Sequence, residues 1–125
     1  MNQRNLYIVN GVVALIFALG LLLATTTLLA MFGLDNTADA RLLSQFIGVE
    51  LVASGLTTLL ARDTADSSVQ SAISYAHMSA NALGFVVALN GTLTHQLSGM
   101  GWVLVLIYGL LGLGFAYFQF FKPRM

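Results

Sequence analysis

Glu50 is the one charged residue between Arg41 and Arg62, in a stretch that is otherwise mostly apolar and long enough to cross a bilayer. An ionised carboxylate at the middle of such a helix costs roughly 2.5–3.5 kcal/mol even on a lenient insertion scale, so Glu50 is expected to face protein. Two states are open to it, a carboxylate or a protonated acid that donates a hydrogen bond. Partners exist at matching depth. At about 1.5 Å per helical residue, Glu50 lies roughly 18 Å from the level of Arg62, and Asn81 lies about as far from the level of Asp66. Tyr108 falls near that depth in the last apolar stretch, His77 sits one turn from Asn81 on the same helical face, and Asn10 lies nearer the chain's ends. The expectation is a polar interior cluster of Glu50, Asn81 and Tyr108, extended by His77 and Asn10. Such a cluster suits a proton path, or the head-group site of a lipophilic ligand such as a quinone with Glu50 as proton acceptor. It equally suits interhelical hydrogen bonding worth about 0.6–2 kcal/mol per bond.

Other chemistries find no footing in the sequence. There is no cysteine, which removes disulfides, thiolate catalysis and Cys-ligated metals. The two histidines, His77 and His95, are separated by eighteen residues, or about 27 Å along a helix, so they cannot share one metal or haem. No metal site is expected, and His77 as axial ligand of a tetrapyrrole is disfavoured because no second ligand is evident. His95 belongs to a polar turn. Gly109, Gly112 and Gly114 have helical context rather than that of a phosphate loop, and no serine stands at catalytic spacing from a base. No catalytic residue is identified, and any redox chemistry would have to come from a partner or a bound quinone. A formal net charge of zero offers no platform for nucleic acid.

The elements that must position these residues follow from the charges. Only 8% of the 125 residues are charged and 58% are hydrophobic, with a mean hydropathy of +0.84, so a water-facing surface would be far too apolar for a soluble monomer. No charge falls between Arg4 and Asp35, nor between Asp66 and Lys122 with neutral histidines. A span needs about 20 residues, so the first interval holds one helix and the second holds two, folded back at the turn formers of 90–99. With the stretch around Glu50, this predicts helices over 6–32, 40–61, 68–91 and 99–121. Short loops make an all-α, up-and-down antiparallel four-helix transmembrane bundle, a single domain over 1–125. The start Met1–Asn2–Gln3–Arg4 is like that of a signal peptide, but the apolar run is too long and lacks a small-residue cleavage site, so it is expected to stay as the first span.

Lipid tails are as apolar as leucine, so the helices must associate through close backbone approach and polar contacts. Ser44, Gly48 and Gly55 share one face of the second span, Gly84 and Ala88 one face of the third, and Gly112 and Ala116 one face of the fourth. These sets are expected to be packing seams. Thr25, Thr26 and Thr27 can satisfy local carbonyls at the end of the first span. Arg41, on the opposite face from Glu50, is expected to snorkel. On the side of the termini lie Arg4, Arg62, Lys122 and Arg124, against Arg41 alone on the other, which places both termini in the cytoplasm. Trp102 then marks the outer interface, and Tyr7, Tyr117, Phe118, Phe120 and Phe121 the inner one.

The run Ile47–Gly48–Val49–Glu50–Leu51–Val52–Ala53–Ser54–Gly55–Leu56, closing at Ala61–Arg62, resembles the second span of DoxX-like membrane proteins. The shared pattern is a glutamate, a glycine a little over one turn later and a basic residue at the cytoplasmic end, here Glu50, Gly55 and Arg62. Tyr7–Gly11 and Gly112–Tyr117 are similar to a branch of small bacterial members. The resemblance implies four helices in a bacterial inner membrane and an association with thiosulfate and quinone oxidoreduction or membrane redox assemblies. Short loops favour a non-catalytic accessory or scaffold subunit that meets other membrane proteins, or itself, laterally. The alternative is a quinone- or lipophile-binding subunit of a redox system. A transporter would need oligomerisation, because four helices seldom enclose a water path.

Overall fold

The computed structural model describes residues 2–121, which form five helices: α1 (Gln3–Leu23), α2 (Thr25–Met31), α3 (Ala38–Leu60), α4 (Ser67–Leu93) and α5 (Gly101–Phe120). Side-chain caps start three of them. Asn2 accepts from the Asn5 N–H, Thr37 from that of Ala40, and Asp66 from those of Ser68 and Val69. Each cap satisfies backbone donors that the first helical turn leaves unpaired. α1, α3, α4 and α5 are long and apolar enough to cross a membrane, so this is a small integral membrane protein built as an all-α four-helix bundle.

The helix expected over 6–32 is broken at Ala24, where φ is −131° and ψ is 44°. A straight helix would put residues 20 and 28 about 12 Å apart. Instead the Leu28 side chain folds over Gly20, where an added Cβ would lie 2.7 Å from Leu28 Cδ1. The cause is local: the Thr25 hydroxyl donates to the Leu21 carbonyl at the joint, a back-bond that bends helices, and the β-branched run 25–27 has low helical preference. α2 ends at Gly33, whose φ of 73° is left-handed, with the Leu34 N–H returning to the Leu29 carbonyl at 2.8 Å. Ser98 of the α4–α5 hairpin anchors this end, donating its N–H to Phe32 O at 2.8 Å and its hydroxyl to Met31 O at 2.7 Å.

The bundle is assembled from two antiparallel pairs, α1 with α3 and α4 with α5. In the first pair the backbones nearly touch: a Cβ on Gly55 would lie 3.0 Å from the Gly11 carbonyl oxygen, and one on Gly48 would lie 3.3 Å from that of Ala18. Ser44, Gly48 and Gly55 are buried along this seam. In the second pair Gly84 lies under the Tyr108 ring, Gly109 beside Phe85, and Gly112 beside Asn81. Ala88 is buried, while Ala116 is only half-buried. Its neighbour Gly114 receives Leu6 of α1, with an added Cβ 2.9 Å from Leu6 Cδ1.

The two pairs meet near the chain's ends around Leu6, Tyr7, Ile73, Leu111, Phe115 and Phe118. Phe115, with no exposed surface, stands between Tyr7 (ring centroids 5.9 Å apart) and His77 (4.9 Å, nearly parallel). Arg4 closes the same end through an ion pair with Asp63 at 2.6 Å. Lys122 and Arg124, which contribute to the count of basic residues, lie outside the described residues.

Candidate functional site

Away from this aromatic plug the pairs diverge and enclose a cavity of about 780 Å³. Asn10, Glu50, His77, Asn81 and Tyr108, the five side chains singled out by depth, all line it. Its two ends differ. Together with Ser54, these polar residues sit roughly 9–21 Å from the helix ends on the side of the termini. The opposite end is lined by Leu21, Leu28, Leu29, Phe32, Leu34 and Leu97, with α2 forming part of the wall. Ser44 is the polar exception there, buried toward α1.

Neighbouring helices position the polar groups. The Asn10 amide donates to Thr58 Oγ1 at 3.1 Å, which fixes α1 against α3 beside the Gly11–Gly55 contact. His77 Nδ1 lies 3.0 Å from the Ile73 carbonyl oxygen, which can only accept, so Nδ1 carries a proton. In the neutral ring Nε2 is then bare and accepts the Ser54 hydroxyl at 3.1 Å, linking α4 to α3. Both nitrogens are thereby engaged, and iron ligation would have to displace one of these partners. Asn81 donates to the His77 carbonyl at 2.7 Å. Tyr108 is held flat on Gly84, where an added Cβ would lie 2.4 Å from the ring. Neither the Tyr108 hydroxyl nor the Glu50 carboxyl has a hydrogen-bond partner among the described residues.

Glu50 departs from expectation in one respect. It lines the cavity, yet it is exposed rather than enclosed by protein. Apart from Leu34 in a loop, the exposed lining residues are Leu43, Phe46, Ile47 and Glu50 on α3 and Ala80 on α4. α3 and α4 approach each other little along their length. The cavity therefore opens sideways between them, beyond the Ser54–His77 bond, and Glu50 stands at the mouth about midway along its span. Glu50, Asn81 and Tyr108 line one cavity, but no hydrogen bond joins them to one another.

The bonding partners Ser54 and Thr58 were not singled out by sequence reasoning. Their spacing from Glu50, four and eight residues on, places all three on one face of α3, and that repeat was the available signal. Among the described residues no three His, Asp or Glu side chains converge on a point. The arrangement can receive a mostly apolar molecule and offer its polar end hydrogen-bond donors and a carboxyl group. Compared with known proteins, the chain matches no family model, and no curated protein or solved structure matches it.

Proposed function

We propose that the protein binds a lipophilic molecule with a small hydrogen-bonding head, of quinone or quinol chemistry, in the cavity between its helix pairs. The observation that carries this reading is the division of the cavity into a polar end and an apolar end. A quinone oxygen accepts from the Tyr108 hydroxyl or the Asn81 amide, and a quinol hydroxyl donates to Glu50, which acts as proton acceptor. The apolar tail lies toward Leu21, Leu28 and Leu29. Redox partners would supply or remove the electrons. The resemblance of residues 47–62 to DoxX-like proteins points the same way, and a bacterial cytoplasmic membrane with both termini inside is the setting it implies. The accessory-subunit reading has only the apolar outer faces in its favour, and lipid satisfies those equally well.

The test is equilibrium binding of a short-chain quinone and its quinol to the protein in nanodiscs. A hydrogen bond to a charged group is worth about 1.5–3 kcal/mol and a neutral one about 0.5–1.5, so Glu50→Gln, whose amide oxygen still accepts without the charge, should weaken quinol binding by about fivefold to tenfold. The fold should survive, because Glu50 bonds to no described residue. Absence of binding, or equal binding by wild type, Glu50→Gln and Tyr108→Phe, would overturn the proposal.

A further inference from the structure

A line of polar side chains leaves the cavity along α4 and runs to the α3–α4 loop. Asn81, His77, Ser74, Gln70 and Asp66 succeed one another at steps of three or four residues, which keeps them on one helical face. The first two line the cavity and the last is exposed at the loop. Ser74 and Gln70, between them, are 0% and 5% exposed. Ser74 Oγ and Gln70 Oε1 also have no hydrogen-bond partner among the described residues.

The described residues alone leave these two atoms unsatisfied. A helical hydroxyl can donate to the carbonyl four residues earlier, as Thr57, Thr92 and Thr94 do here, but Ser74 does not. Gln70 uses its amide nitrogen on the Thr64 carbonyl at 2.9 Å, which ties it to the loop and leaves its oxygen unmet. A buried polar atom without a partner costs about 1–3 kcal/mol. Buried water is the usual partner for such atoms, and two of them on successive turns of one stripe mark a place for it.

We propose that ordered water bonds to Ser74 and Gln70 and completes a proton route from the cavity to the aqueous phase at residues 61–66. The middle of the route is already in place. Ser54 lies one turn from Glu50 on α3 and donates to His77 Nε2, while Nδ1–H is held by the Ile73 carbonyl, which belongs to the peptide that joins Ile73 to Ser74. Glu50 bonds to no described residue, so its proton crosses to Ser54 through a cavity water and from Ser54 reaches Nε2. In the imidazolium so formed, Nδ1–H breaks its bond to the Ile73 carbonyl and gives its proton to the water beside Ser74, and that proton passes Gln70 to the loop. Return of the ring to its first tautomer resets the relay. The use of this route to clear protons from Glu50 rests on the reading of the cavity as a quinol site, but the water itself does not.

Water-edited solid-state NMR on the full chain in lipid bilayers tests it without any quinone. Ser74 and Gln70 should receive magnetisation from water as readily as the loop residues 61–66, while Ile73 and Phe115, buried at similar depth, stay dry. Ser74→Ala and Gln70→Met should each remove the transfer to His77. Dry Ser74 and Gln70 in the wild type, or undiminished transfer to His77 in both variants, would overturn the proposal. Hydrated residues in a protein that fails to bind quinone would leave the water route standing and defeat the quinol site alone.

Discussion

The two helix pairs use glycine for opposite ends. Between α1 and α3, Gly11 and Gly55 bring one backbone against the other, and the Asn10–Thr58 bond fixes the approach. Between α4 and α5, Gly84 and Gly112 leave hollows that side chains fill: the Tyr108 ring lies on the first and the Asn81 side chain on the second. The first seam holds α1 against α3, since in lipid close packing is the main source of helix association. The second orients two residues of the cavity wall. The same residue type therefore serves cohesion in one pair and positioning in the other.

Substitutions can separate these roles. Gly55→Leu should have the largest effect, because even a Cβ there meets Leu15 Cγ at 2.9 Å and a carbonyl that cannot move aside. A loss of about 3 kcal/mol, the upper range for overpacking, is expected in detergent unfolding of the purified protein. Gly84→Ala should lose less stability, about 1 kcal/mol, since the Tyr108 ring can swing away. The displaced hydroxyl should nevertheless weaken quinone binding about tenfold, as expected for a lost hydrogen bond. If Gly84→Ala unfolded the protein as much as Gly55→Leu, the contrast between the seams would fail. Asn10→Val removes the bond to Thr58 and should cost about 0.6–2 kcal/mol in the same unfolding assay. Gly99→Ala is the baseline. An added Cβ there has no neighbour within 4 Å, and the unfolding midpoint should correspond to a change within about 0.5 kcal/mol.

The four spans were legible because charge cannot be scattered through a bilayer core, so Arg4, Asp35, Asp66 and Lys122 mark where helices end. The depth of the polar residues was legible too, through the fixed helical rise, which put Glu50, Asn81 and Tyr108 near one level with His77 and Asn10 closer to the chain's ends. Rotation and pairing were less so. Glu50 shares the level of Asn81 and Tyr108 but stands at an opening, which depth alone does not reveal. Ser54, Thr58, Gln70 and Ser74 are ordinary residues for a membrane helix, and only the repeats they form with Glu50 and His77 set them apart. The break at Ala24 was hidden for a different reason. No charge marks it, while its causes are one threonine back-bond and the β-branched run 25–27, with Gly20 leaving room for the Leu28 side chain.

The sideways mouth between α3 and α4 lies midway along its span, so it faces acyl chains rather than either aqueous phase. A molecule that comes through it is drawn from a two-dimensional pool, and occupancy follows its mole fraction in the bilayer instead of its molarity in the buffer. Adding empty lipid to a fixed quantity of protein and ligand should therefore strip the site by dilution, although no aqueous concentration has been deliberately changed. Affinities compared between preparations acquire meaning only at a stated ratio of ligand to lipid.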